Sequence, residues 1–241
     1  MCKIFTCSEV KRLPILELRN VVKKYRVGKE IVTALDGVNL AVEAGEFVAI
    51  LGTSGSGKTT LLNVAAGLEK PTRGEVVFRN VTLNKLKEWQ KVAFRRKQMG
   101  FIFQSYNLIP SLTAQENVAL PLIFDNVPVQ ERTKRAVAVL THMGLKDRRK
   151  HKPTEMSGGQ QQRVAIARAI VHQPRIIFAD ELTGNLDSHT THDIMCSLQT
   201  TVKKLGQTLL MVTHDRDVAN YADRIIFMVD GKIVSEELGG K

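Results

Sequence analysis

One stretch constrains this chain more than any other. It reads GTSGSGKTT, Gly52 to Thr60, and follows the apolar segment FVAIL, Phe47 to Leu51. The pattern G-x-x-x-x-G-K-[ST] is met at Gly52, Gly57, Lys58 and Thr59. Its mechanical context is a strand feeding a tight loop that opens a helix. That context predicts a strand at Phe47–Leu51 and a helix from about Lys58 to Ala66. Glycines let a backbone fold around an anion with its N–H groups turned inward, and a helix N-terminus adds partial positive charge. Gly52, Thr53, Ser54, Gly55, Ser56, Gly57 and Thr60 are therefore candidate phosphate-cradle residues. Lys58 is the candidate to reach terminal phosphates, and the Thr59 hydroxyl is a candidate ligand of Mg²⁺.

A second segment, IIFADE from Ile176 to Glu181, is an apolar strand ending in two carboxylates. Such groups are costly beside a core unless they meet a cation or water. At the carboxyl end of a parallel strand they face the ligand crevice. Asp180 then suits the shell of the metal ion, directly or through water, and Glu181 suits the polarisation of an attacking water.

The rest of the chain fits one large domain or one domain with a smaller insertion, since it has 241 residues, 43% of them hydrophobic. No apolar run approaches the ~18 residues of a membrane span, and the N-terminal MCKIFTCSEVKR does not read as a signal peptide. These features exclude an intrinsic membrane protein, a secreted disulfide scaffold and a coiled coil. The three cysteines, Cys2, Cys7 and Cys196, form no metal-ligand cluster in sequence and read as reduced thiols; Cys2 and Cys7 could act as a regulatory pair. The net charge of +11 comes partly from runs at Lys23-Lys24, Arg95-Arg96-Lys97, Arg148–Lys152 and Lys203-Lys204. Singly these are solvated surface; together they suit nucleic acid or an acidic membrane leaflet. Aromatic residues are 5% of the chain and do not interleave with them, against a stacking platform for single strands.

Along the chain, residues 1–14 read as an extension and 236–241 as a tail around a domain at 15–235. Gly28, Gly37 and Gly45 mark turns between strand-like runs. Leu86, Trp89 and Val92 lie at helical spacing, and Phe101–Phe103 is a short strand ending at Gln104. Thr113–Leu120 and Gln130–Met143 read as helices separated by Pro121 and Pro128, giving a helical subdomain at about 105–155 inserted into an α/β core. Strands and helices alternate thereafter, with Asp230-Gly231 as a hairpin turn. A mostly parallel sheet with antiparallel additions is expected.

A third motif, MSGGQQQRVAIARAI from Met156 to Ile170, gives the chain a family resemblance. With the other two motifs and their order, it resembles the ATP-binding-cassette (ABC) ATPases, the nucleotide-binding subunits of transporters. Ser157, Gly158, Gly159 and Gln160 resemble the family's signature, whose helix N-terminus can grip a γ-phosphate. The resemblance covers about Ile15 to Ser235 and implies ATP and Mg²⁺ as cofactors. It also implies roles for single residues. Tyr25, by itself an ordinary strand-edge tyrosine, would stack on adenine. Gln104, by itself a polar strand cap, would touch Mg²⁺ and the attacking water. His214, in VTHD, would contact the γ-phosphate, and Asn185-Leu186-Asp187 resembles the loop that crosses to a partner subunit. Two departures stand out. Met156 replaces the usual Leu, a volume-conserving change. Leu182 replaces a common Pro after Glu181, which loosens the expected turn.

The resemblance further implies a head-to-tail dimer, expected to be a homodimer, that sandwiches two MgATP. A permease subunit would be contacted near 105–124, placing the chain at the cytoplasmic face of the cell membrane. GFIFQSYNLIPSLTAQENVALPL resembles the branch of lipoprotein-release, macrolide-export and antimicrobial-peptide-resistance ATPases. The cell-division ATPase of that branch is an alternative. So is a soluble ABC ATPase acting on nucleic acid, which the single cassette and short insertion disfavour; no nucleic-acid partner is expected.

Overall fold

In the computed structural model, residues 14–184 and 186–240 are described. Cys2, Cys7 and Asn185 lie outside the described residues. Among the described residues, ten strands form two sheets. The first is antiparallel, in the order β2-β1-β4-β5, from β1 (Pro14–Val27), β2 (Glu30–Glu43), β4 (Arg73–Phe78) and β5 (Val81–Thr82). The second has the order β10-β9-β3-β8-β7-β6, from β3 (Phe47–Leu51), β6 (Met99–Ile102), β7 (Ile176–Asp180), β8 (Thr208–Thr213), β9 (Arg224–Val229) and β10 (Lys232–Leu238). All its pairings are parallel except β9–β10. The α/β class and mixed sheet arrangement expected from sequence are what the structure shows.

Period-two alternation explains how this sheet organises two cores. Phe47 and Ala49 of β3, Ile177 and Ala179 of β7, and Leu209 and Met211 of β8 face one way. They meet residues of α3 (Ala114–Phe124), α4 (Val129–His142), α5 (Gly158–Ile170) and α6 (Ser188–Leu205). Val48 and Ile50, Ile176 and Phe178, and Leu210 and Val212 face the other way, against α1 (Lys58–Ala65) and the antiparallel sheet. Strands buried on both faces must be apolar throughout; FVAIL is so to its end, and IIFAD is so until Asp180, where the crevice begins.

Some local expectations differ. Gly37 does not end a strand. It lies inside β2 at φ +69°, where the β1–β2 register shifts opposite Asn20 at φ +49°. Pro121 does not separate helices either. α3 runs through it to Phe124, with Val118, Ala119 and Leu122 buried. A proline costs one backbone bond, and apolar burial on both sides of it holds the helix together. β10 extends to Leu238, beyond the boundary expected at 235, because its backbone pairs with β9 as far as Arg224. β6 stops at Ile102, so Gln104 sits beyond the strand. The helix over Leu86, Trp89 and Val92 is α2 (Glu88–Gln98), whose first residue follows Leu86. Trp89 and Val92 are exposed, while on the same helix Lys91 is buried and Phe94 packs edge-on against Phe78 at a centroid distance of 5.2 Å.

Candidate functional site

The phosphate loop takes the shape that its glycines allow. A Cβ on Gly52 would lie 2.4 Å from the Met228 carbonyl oxygen, and one on Gly57, at φ +97°, 2.4 Å from that of Ala34. No other side chain fits either place. Lys58 is buried, and its ammonium donates to the carbonyls of Gly52 (2.9 Å) and Thr53 (2.8 Å), which draws the loop around its Nζ. The Gly231 N–H donates to the Ser56 carbonyl at 3.0 Å. The hairpin turn of Asp230-Gly231 is thereby tied to the loop.

A cavity of about 540 Å³ opens above this loop. Tyr25, Val32 and Thr33 line it from the antiparallel sheet, Ser54, Gly55, Gly57, Lys58, Thr59 and Thr60 from the loop, and Glu181 from the end of β7. Asp230 and Gly231 line it too, a contribution that the sequence offered only as a turn. Tyr25 donates its hydroxyl hydrogen to Glu69 at 2.5 Å, and Lys23 lies over its ring, 4.9 Å from the centroid. Burial and the Glu69 contact both push the Tyr25 hydroxyl above its ordinary pKa.

The parallel pairing of β7 with β8 brings the catalytic candidates together. Thr59 Oγ1 donates to Asp180 Oδ1 at 3.3 Å, so hydroxyl and carboxylate converge at one point. Burial, the largest influence, pushes the Asp180 carboxyl above the usual range; the Thr59 bond opposes this and the Glu181 charge adds to it. A buried carboxylate so placed gains from a cation. A hydroxyl and a carboxylate are hard oxygen donors of the type that Mg²⁺ takes, and this pair fits that ion.

Glu181 occupies the left-handed region at φ +41°, and its N–H donates to the Val212 carbonyl at 3.1 Å. A non-glycine residue there is strained by about 1 kcal/mol or more. Leu182, next along, is buried in the helix-side core, so burial rather than a proline ring fixes this turn. His214, beyond the end of β8, approaches Glu181 Oε1 with its Nδ1 at 3.0 Å. Gln104 is aimed at the same turn, since a Cβ on Gly184 would lie 3.2 Å from its Nε2.

The signature residues are elsewhere. Ser157 caps α5, its Oγ accepting from the Gln160 N–H at 3.4 Å, while Gln160 Oε1 accepts from the Ser157 N–H at 3.2 Å. Asp187 caps α6, its Oδ1 accepting from the Thr190 N–H at 2.9 Å. That backbone bond is the first cause of a lowered Asp187 pKa. Ser157, Gly158, Gly159, Gln160 and Asp187 line a second cavity of about 510 Å³, which shares no lining residue with the first.

Two contacts were not legible in sequence. Arg168, on α5, donates to the carbonyls of Asn107 (2.5 Å) and Tyr106 (2.8 Å). Both carbonyls belong to residues with positive φ, just after Gln104. The Tyr106 hydroxyl reaches the signature itself, 3.0 Å from where a Gly158 Cβ would stand. The motif shows an arginine at this spacing, but nothing local says which carbonyls it holds. Of the basic runs, Lys23, Arg96 and Lys203 pair with Glu69, Asp125 and Asp223.

This fold, with a glycine-rich phosphate cradle facing a strand-end carboxylate pair, defines a P-loop nucleotide hydrolase. Residues 35–184 match the ABC transporter family model, and the chain belongs to that family as an ABC ATPase. It is 49% identical over 227 residues to the ABC transporter ATP-binding protein MJ0796 of Methanocaldococcus jannaschii, covering 92% of this chain and 97% of that protein. It is 45% identical to the macrolide export ATP-binding/permease protein MacB of Hyphomonas neptunium, covering 92% of this chain but 34% of that longer protein. A solved dimeric structure of MJ0796, in a post-hydrolysis state bound to ADP and Pi, superposes with a TM-score of 0.86 at 47% identity, covering 94% of this chain and 99% of that one.

Proposed function

We propose that the chain is the motor subunit of a membrane transporter, closing as a homodimer on two ATP molecules and opening after hydrolysis. The observation that carries this reading is the separation of the two cavities. Cradle and signature line different cavities with no residue in common, which fits a γ-phosphate over Lys58 being met by a signature from a second copy. A head-to-tail copy would bring its signature across and complete the site. The dimer of the similar MJ0796 with ADP and Pi supports this arrangement.

Within the site, the loop N–H groups and Lys58 bind the β- and γ-phosphates. Tyr25 and the apolar Val32 border the part of the cavity suited to a base. Thr59 and Asp180 would hold Mg²⁺, which when bound would neutralise phosphate charge, and Gln104, beside Gly184, would be a further ligand. Glu181 accepts a proton from the attacking water as its oxygen bonds to the γ-phosphorus and the bond to the ADP oxygen breaks. His214 lies against Glu181 and faces the same phosphate. Most of the rate comes from positioning and charge stabilisation.

The permease would be gripped at a groove of about 330 Å³ lined by Phe101, Phe103, Leu120, Pro121 and Phe124, between the β6 end and α3. Phe124 is 62% exposed there, an apolar side chain without a cover in the isolated chain. A cytoplasmic helix of the membrane subunit would cover it, placing the cassette at the inner membrane face. No helix among the described residues is long and apolar enough to cross a membrane. The MacB relative joins ATP-binding and permease functions in one chain, which favours a mechanotransmission exporter of lipoprotein, macrolide or antimicrobial-peptide type.

The test is Glu181→Gln with MgATP. It should bind ATP as the parent does, lose turnover by about 10²-fold or more as expected for loss of a general base, and elute as a dimer by light scattering. Unchanged hydrolysis removes Glu181 from its role, and a mass that stays monomeric with ATP bound refutes the closing dimer.

A further inference from the structure

A cluster that the nucleotide chemistry does not use lies on α6, bordering a cavity of about 490 Å³ that Glu181 and His214 also line. His192 and Cys196 are four residues apart on this helix, so they share a face one turn apart. His192 Nε2 lies 3.6 Å from Cys196 Sγ. A tetrahedral metal with about 2.3 Å to sulfur and about 2.0–2.1 Å to imidazole nitrogen separates those two atoms by about 3.5–3.6 Å. The pair is thus already spaced as a chelate.

Tyr221, beyond α7 (Arg216–Ala219), fixes the ring. Its hydroxyl meets His192 Nδ1, and the two ring centroids lie 6.0 Å apart. In the tautomer with a proton on Nδ1, that N–H donates to the Tyr221 oxygen and leaves the Nε2 lone pair available on the nitrogen that approaches the thiol. A metal-bound histidine is held in this way, its second nitrogen donating to an oriented oxygen. His192 is exposed and Cys196 is a half-buried free thiol, so a cation has access from solvent. Asp193 is engaged by His189 at 3.6 Å. Among the described residues no group of three His, Cys, Asp or Glu side chains converges on one point, so this chain supplies two ligands and water the others.

We infer that His192 and Cys196 form a chelating site for a thiolate-seeking divalent cation of the Zn²⁺ class. Binding replaces the thiol proton, which leaves to solvent, by a metal–sulfur bond; no electron is transferred. Affinity is lower than that of a four-ligand structural site.

The test uses the full chain with Cys2→Ser and Cys7→Ser, which leaves Cys196 as the single thiol. Titration with Co²⁺ should raise a thiolate-to-cobalt charge-transfer band that saturates at one ion per chain and is abolished by added Zn²⁺. Cys196→Ser should remove it, His192→Gln should weaken binding at least tenfold, and Tyr221→Phe should weaken it several-fold. Zn²⁺ should also slow alkylation of Cys196 by iodoacetamide at least tenfold, a readout that needs no further variant should Cys196→Ser fail to fold. A missing band, a band unaffected by His192→Gln, or alkylation indifferent to Zn²⁺ would overturn the site.

Discussion

Arg168→Met tests how the loop after Gln104 is held. The guanidinium donates to two carbonyls, at 2.5 and 2.8 Å, on Asn107 and Tyr106. Those residues sit at φ +49° and +59°, so the loop carries strain that these bonds offset. A hydrogen bond from a charged donor contributes about 1.5–3 kcal/mol, giving about 3–6 kcal/mol for the two. Both carbonyls regain water when the loop moves, so the lower end, about 3 kcal/mol, is the expected loss in local stability. Methionine fills much of the same space without donating, and the α5 core is otherwise untouched. At about 1.4 kcal/mol per decade, hydrogen exchange across residues 104–112 should speed up by about 10²-fold. Nucleotide affinity should hold, since Lys58 and the cradle lie apart from Arg168, while turnover falls because Gln104 is no longer aimed at the Glu181–Gly184 turn. Unchanged exchange in 104–112, or faster exchange with undiminished turnover, would refute this account.

Other consequences follow from single contacts. Lys58→Ala removes the ammonium that draws the cradle together and should weaken ATP binding at least tenfold by equilibrium titration; an unaltered affinity contradicts the cradle. Phe178→Ala empties a fully buried site stacked on Phe101 at a centroid distance of 5.7 Å, and should cost about 3–5 kcal/mol in urea unfolding. Glu69 is pushed up by burial but lowered on balance by hydrogen bonds from Tyr25, Lys23 and Asn63. Its folded pKa lies below the unfolded value, so its stabilisation is present above the ordinary carboxylate range and lost as pH falls through the lowered value. Glu69→Gln should therefore be less stable than the parent at pH 7, and the gap should close in acid; a gap independent of pH would exclude the linkage.

Much of the site was legible because its chemistry is local. The cradle is a contiguous run, and its strand and helix flanks follow from FVAIL and the residues after Lys58. Asp180 and Glu181 are adjacent at the end of an apolar strand, so their exposure to a crevice follows from the alternation of a sheet buried on both faces. Residues whose role depends on remote partners were not legible. Arg168 acts on carbonyls 61 and 62 residues away in sequence, and His192 meets Tyr221 across 29. Pro121 looked like a boundary, since its local cost is visible in sequence while the burial of Val118 and Leu122 around it is not. Leu182 looked like a loosened turn for the same reason.

Sequence by itself determined the order of elements, the cradle and the carboxylate pair, because each rests on periodicity or on neighbours along the chain. Tertiary structure alone decided that Thr59 meets Asp180, that His214 meets Glu181, and that the signature cavity stands apart from the cradle. The parallel register of β3, β8 and β7 sets the first two. The third follows from where α5 packs, since helix position is fixed by the summed burial of distant side chains and by no motif of its own.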